Sequence, residues 1–184
     1  VEIISSAKQE GLAVTCDVSA NNLFFTEEKL YDFDTNFKLN PPLRSEEDRK
    51  ALWQGIADDT IDTIVSDHQP QDTENKELEF DLAAFGAIGL QTTLLATNTK
   101  RENIDLEKVL EKLCQNPRKI LQKHIPCIKE DEKANLCVWD SQKETIFTKN
   151  QILSKSKNSP FIGEKLKGKV LAVFNDTQAE IFSL

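Results

Sequence analysis

The chain has no methionine and only two histidines in 184 residues. Without Met, and with Val1 opening directly on a helical pattern, the sequence reads as a piece of a longer polypeptide. Any metal or proton-transfer site with so few imidazoles is either working, worn out, or shared with residues elsewhere. The four cysteines, at 16, 114, 127 and 137, form no CxxC pair and no metal-like spacing. They read as reduced, partly buried thiols of a cytoplasmic protein. No apolar run approaches the roughly 18 residues that span a bilayer, and the first residues lack a signal-peptide pattern. Lys and Arg form no stripe alternating with aromatics, and the net charge is −8, which sets the chain against nucleic acid as a partner.

What is present is ordinary for a globular protein: 39% hydrophobic and 29% charged residues, in a length that suits one sizeable domain or a large and a small one. Val1, Ile3, Ile4 and Ala7 mark one face of an opening helix that Gly11 stops. Leu12–Val18 reads as a strand, so helix, Gly and strand form the αβ half of a βα repeat. Ser19–Leu39 is a polar-aromatic loop. Ser45 is the predicted N-cap of a helix that turns Ala51, Leu52 and Ile56 inward. The β-branched run Thr60–Val65 follows as a second buried strand.

Beyond a charged loop at 72–79, the segment 80–97 carries a helical stripe of Ala84, Ile88, Leu94 and Leu95. Asp105–Leu113 is the clearest helix, and Asn116-Pro117 reads as the cap and first residue of another. From about Ala134 the period shortens to that of strands: Leu136–Val138, Thr145–Phe147 and Gly168–Phe174. Residues 1–133 therefore read as the α/β part, and 134–184 as a small β-rich domain.

The stretch Ser66-Asp67-His68-Gln69-Pro70-Gln71 closes the second strand at its C-terminal end, where parallel α/β proteins commonly build their chemistry. Taken alone, an Asp there is more often a helix cap or a loop residue. Three further stretches accompany it: Asn40-Pro41-Pro42-Leu43-Arg44, Phe85-Gly86-Ala87-Ile88-Gly89-Leu90-Gln91-Thr92, and Ser154-Lys155-Ser156-Lys157-Asn158-Ser159-Pro160-Phe161. In this order and spacing the four resemble the C-terminal part of a dihydroorotase of the cyclic amidohydrolase superfamily, over essentially the whole chain.

The resemblance implies the last two strands and closing helices of a (β/α)8 barrel, plus part of a small β-sandwich domain. It implies a zinc-dependent enzyme of pyrimidine biosynthesis, with one or two zinc ions in the full-length protein only. Such an enzyme interconverts N-carbamoyl-aspartate and dihydroorotate. Asp67 matches the family's metal-binding carboxylate, which takes a proton from the attacking hydroxide and passes it to the leaving ring nitrogen. Asn40 matches a residue that reaches the substrate, on a loop stiffened by Pro41 and Pro42. Arg44 is expected to pair locally with Glu47 or Asp48. Phe85 and Gly86 match a backbone segment against the substrate ring; a core Phe beside a close-packing Gly is an equally compatible reading.

Two positions depart from the family pattern. Gln71 stands where the family has a substrate-contacting His, and Ser19-Ala20-Asn21-Asn22-Leu23 stands where a Pro-His-His-Leu type sequence is common. His68 is expected to be a supporting hydrogen-bonding residue, and the Ser154–Phe161 loop a structural one. The resemblance places most metal ligands outside this sequence, so the 184 residues alone are expected to be inactive. The expected partners are a small-molecule substrate, the rest of the polypeptide (the N-terminal barrel half), and a second copy or another pyrimidine-pathway enzyme. The alternative is a degenerate homologue that has lost catalysis and serves as a scaffold or subunit. A hydantoinase or allantoinase is a weaker variant of the enzyme reading.

Overall fold

Strand-forming runs in two parts of the chain build two separate sheets in the computed structural model, which describes residues 1–182. In the first sheet, β1 (Asp17–Ser19) lies parallel to β2 (Thr63–Val65), with Asp17 opposite Thr63 and Ser19 opposite Val65. In the second, β3 (Asn135–Ile146), β4 (Lys165–Asn175) and β5 (Gln178–Ile181) run antiparallel in that order. Around them lie α1 (Glu2–Gln9), α2 (Ala20–Phe24), α3 (Glu46–Ala57), α4 (Thr73–Lys76), α5 (Thr93–Lys100), α6 (Leu106–Leu110) and α7 (Asn116–Ile120). A π-helical turn, Glu111–Gln115, joins α6 to α7. The class is mixed α/β. The three-stranded sheet falls in the segment read as 134–184, of which residues 183 and 184 lie outside the described ones.

Both parallel strands are shorter than their sequence runs. Immediately before β1, within the run expected to be strand from Leu12, the Asp62 carboxylate accepts the Cys16 backbone N–H at 2.8 Å, so a side chain stands in for a ladder bond. Ser45 does cap α3, its Oγ accepting from the Asp48 N–H at 3.1 Å. Of the expected inward face of α3, Ile56 is buried and Leu52 packs against the core, and Ala51 alone departs from it. Arg49, Trp53 and Ile56 are buried while Ala51 is exposed. Trp53, not expected inward, joins this face, and its indole N–H donates to the Leu23 carbonyl at 3.0 Å. The apolar face of α1 is only partly covered: Ile4 and Ala7 are half-buried, and Val1 and Ile3 are exposed.

Three further expectations are corrected. Of the segment 80–97, only the stretch from Thr93 is helical. Residues 85–88 instead lie beside the end of β2, where Ala87 bridges His68 and tertiary partners take their backbone groups. Asn116 caps nothing; the helix continues through it from the π-turn, and its Nδ2 donates to the Asp62 carbonyl at 3.0 Å. The short strands expected around 136–147 are one long strand, irregular between Val138 and Trp139 and again between Asp140 and Glu144.

Two cores hold these parts. One gathers Val18, Leu23, Trp53, Ile56, Ile61, Ile64 and Val109 around the parallel pair. The other runs from Phe24, Phe25 and Phe37 through Ala87 and Ile88 to Phe147, Phe161 and Leu166. This second core ties the loops after β1 and β2 to the antiparallel sheet. Four phenylalanines lie at its centre, with ring centroids 4.6–5.2 Å apart. Asn98 of α5 adds polar docking, its Nδ2 donating to the carbonyls of Ser141 and Lys167 at 2.9 and 2.7 Å.

Candidate active site at the strand ends

The chain leaves β2 at Val65 and turns sharply, with Asp67 at a φ of 45°. This left-handed conformation is one that Asp tolerates better than most residues. The turn leaves the carboxylate part-buried. One oxygen, Oδ1, accepts from the Gln69 side-chain amide at 2.7 Å. At the next residue, His68 and Ala87 form a parallel bridge, and the Gln69 N–H donates to the Ala87 carbonyl at 2.8 Å. Residues 85–88 thus lie alongside the site loop, joined to it by a single bridge.

Glycines permit that approach. Gly86 has φ 109°, and a Cβ there would meet the Gln69 Cβ at 2.5 Å. At Gly89 a Cβ would overlap the Ser66 carbonyl outright. His68 ties the next turn: its Nδ1 accepts from the Gly89 N–H at 3.1 Å and the Leu90 N–H at 3.4 Å. An acceptor at Nδ1 in the neutral ring leaves the proton on Nε2. His68 therefore holds the loop together instead of standing free beside Asp67.

The other sequence-predicted residues lie around this loop. Gln71 gives its side-chain N–H to the Phe85 carbonyl at 3.0 Å, so its amide reaches the Phe85–Gly86 backbone itself. Phe85 is 51% exposed, which sets aside the core reading of its ring. The Lys38 ammonium lies 4.8 Å from the centre of that ring. Asn40 is exposed on the loop after β1, and its peptide bond to Pro41 is cis. Arg44 pairs locally, with Asp48 at 3.6 Å.

Two residues that sequence reasoning passed over prove central. Asn158, from the Ser154–Phe161 loop, is 5% exposed. Its Oδ1 accepts the Gln71 N–H at 3.2 Å, and its Nδ2 donates to the carbonyls of Gln69 and Gly86 at 3.1 and 3.2 Å. Lys76 is equally buried and donates to the carbonyls of Thr35, Ala84 and Gly86 at 2.6, 2.9 and 3.1 Å. Burial pushes its pKa down to about 8, with Asp34 opposing and Lys38 adding to the shift. No local pattern could have singled out either residue, since their partners lie up to 89 positions away. Asn21, where the family pattern also changes, is 1% exposed, and its amide has no hydrogen-bond partner among the described residues.

As a metal site the arrangement is incomplete. Asp67 offers one carboxylate, and among the described residues no group of three or more His, Cys, Asp and Glu could hold an ion. A zinc centre takes three or four protein ligands, so the described residues do not complete one. What Asp67 can do alone is accept and return a proton at the mouth of the parallel pair. No helix among the described residues is long and apolar enough to cross a membrane.

Comparison with known proteins places this geometry. Residues 2–178 match the amidohydrolase family. The dihydroorotase of Caldicellulosiruptor saccharolyticus is 41% identical over 176 residues, which is 94% of this chain and 41% of that protein. The dihydroorotase of Endomicrobium trichonymphae is 42% identical over 172 residues, covering 91% of this chain and 41% of that protein. The chain thus spans about two fifths of the length of these curated relatives. Among solved structures, the L-hydantoinase (dihydropyrimidinase) from Arthrobacter aurescens superposes with a TM-score of 0.89 at 27% identity, over 99% of this chain and 43% of that one. The inactive dihydroorotase-like domain of the Chaetomium thermophilum CAD-like multifunctional protein shares the fold, with a TM-score of 0.68 at 24% identity over 97% of this chain and 47% of that one.

Proposed function

The chain belongs to the amidohydrolase family, and on that premise we propose that it is the C-terminal part of a dihydroorotase, which opens and closes the cyclic amide between dihydroorotate and N-carbamoyl-aspartate. The observation that carries this reading is the placement of Asp67 at the C-terminal end of β2, with the Phe85–Gly86 backbone drawn up beside the same loop. Residues 1–133 would supply the closing part of the barrel, and 134–184 a share of a small β domain. The N-terminal barrel half of the same polypeptide is then the first partner.

In this reading Asp67 takes a proton from the attacking water and returns it to the ring nitrogen as the amide bond breaks. Asn40 and Gln71 bind the substrate's polar groups, and the Phe85–Gly86 backbone lies against its ring. Gln71 offers a neutral donor where a cation would bind a carboxylate about twice as strongly, so a low affinity for an anionic substrate is expected. Zinc in the full-length protein would draw its ligands mainly from outside this chain, with Asp67 as this chain's share. One carboxylate fixes neither the number of ions nor their chemistry, so no step is assigned to them here. The rest of the assembly, a second copy or another pyrimidine-pathway enzyme in a cytoplasmic setting, belongs to the same proposal.

A second reading, a degenerate homologue kept as scaffold or subunit, is favoured by one feature. The Gln69 amide already engages one oxygen of Asp67. The deciding experiment assays the full-length protein and its Asp67→Asn variant for dihydroorotate turnover across pH. The enzyme reading expects the variant to fall by about 10²–10⁴-fold, the usual share of general acid–base catalysis. An inactive parent carrying bound metal would establish the scaffold reading.

A further inference from the structure

The Ser154–Phe161 loop reads from sequence as a docking loop without a part in the chemistry, yet it sends one side chain into the middle of the candidate site. We propose that Asn158 is a positioning residue, whose buried amide fixes the distance between the Gln69–Gln71 stretch and the Phe85–Gly86 backbone. This deepens the dihydroorotase reading and rests on it.

The geometry is that of a clamp. The two stretches meet directly through the Gln69 N–H and the Ala87 carbonyl, and through the Gln71 side chain and the Phe85 carbonyl. Asn158 bridges them a further time, since its Nδ2 serves one carbonyl from each side, Gln69 and Gly86. Its Oδ1 meanwhile takes the Gln71 N–H, and its backbone carbonyl takes the Ile88 N–H at 3.0 Å. Every hydrogen-bonding atom of the amide thus faces the two stretches. The second donor to the Gly86 carbonyl is Lys76, and the Gly86 N–H is spent on the Lys38 carbonyl. The peptide groups on either side of Gly86 are therefore fixed by groups from separate regions of the chain.

Such saturation matters because a substrate ring is to lie against this backbone. A displacement of about 1 Å at a reacting group can cost on the order of 10²-fold in rate. Removing the amide frees the Phe85–Gly86 stretch to shift, and also leaves the Gly86 and Gln69 carbonyls short of a donor. Contacts made in both ground and transition state lower KM and leave kcat largely alone, so the first consequence is a raised KM.

The test uses the full-length protein that carries this chain, with Asn158→Ala and Asn158→Asp. Ala removes all three side-chain bonds. Asp keeps the shape and the bond from the Gln71 N–H, but turns an oxygen toward the Gln69 and Gly86 carbonyls. The clamp expects KM for dihydroorotate to rise at least tenfold in both variants, more in Asp than in Ala, with kcat falling less. Amide exchange at Gln71 should speed up in Ala and stay near the parent's in Asp. A KM within twofold of the parent in both folded variants would overturn the proposal. If the parent shows no turnover, the dihydroorotase reading is what fails, and exchange then decides the clamp. Faster exchange at Gln71 in Ala alone supports it; equal exchange in all three proteins overturns it.

Discussion

Gly89 lies so close to Ser66 that no side chain fits between them: a Cβ at Gly89 would overlap the Ser66 carbonyl. The atom in the way is backbone at the start of the site loop, so a larger residue cannot be absorbed by turning a flexible side chain aside. Gly89→Ala in the full-length protein should therefore destabilise it by about 1–3 kcal/mol or more, the usual cost of overpacking. Gly11→Ala is the control. There φ is 79° and nothing lies within 4 Å of the added carbon, so only the left-handed strain of about 1–2 kcal/mol remains. Thermal melts of the two variants decide it; an equal or larger loss at Gly11 would refute the close-approach argument.

His68 and Gln71 flank the same loop and should respond in opposite directions. His68→Asn loses the ring nitrogen that accepts from Gly89 and Leu90. Turnover should drop on the order of 10–100-fold, by analogy with groups that orient ligands in metal sites. Gln71→His restores a titratable donor near the substrate's carboxylate and should lower KM, most clearly below about pH 6.5 where the imidazole is charged. Steady-state kinetics between pH 5.5 and pH 8 would separate the two. A raised KM in Gln71→His at every pH would count against a substrate carboxylate at that position.

Lys76 predicts a pH signature. Its folded pKa is lowered to about 8 from 10.5, so between those values the unfolded chain holds the proton more tightly. Stability linked to this group is therefore lowest below pH 8, and it recovers as pH rises toward 10.5. Lys76→Met lacks the titration. The difference in melting temperature, parent minus variant, should grow between pH 8 and pH 10 and stay flat from pH 6 to pH 7. A difference that shrinks over the upper window would contradict the assignment.

Asp59 binds two lysines whose replacement should differ in cost. Lys112, 1% exposed, donates to Asp59 at 2.7 Å and to the Ile61 carbonyl at 2.6 Å. Lys108 reaches the same carboxylate at 2.5 Å from a more exposed position. Lys112→Ala removes a buried stem and strands a carbonyl, which costs about 1–3 kcal/mol for the lost partner alone. Lys108→Ala loses a surface pair of about 0–1 kcal/mol. Chemical denaturation of both variants would check the order, and equal losses would refute it.

The capping of α3 by Ser45, the turn after α1 at Gly11 and the strand character of Thr63–Val65 were legible because each rests on neighbours in the sequence. A cap needs a hydroxyl a few positions from an N–H, and a strand needs β-branched residues in a row. The resemblance to dihydroorotases was legible for the related reason that four stretches stand in a set order. The burial of Arg49 and Trp53 in α3 and the path of residues 80–92 were not legible. Trp53 turns inward to a carbonyl 30 positions away, at Leu23, and tertiary bonds from Gln69, Lys76 and Asn158 outweigh the helical stripe around Ile88.

The residue types of the candidate site, Asp67, Asn40, Gln71 and the pair Phe85-Gly86, were proposed from the sequence alone. Which groups hold them was decided only in three dimensions. Local propensity records what a residue prefers within a few positions of itself. The Asn158 amide, by contrast, acts on carbonyls 72 and 89 positions away, and only the folded chain brings those atoms within 3.2 Å.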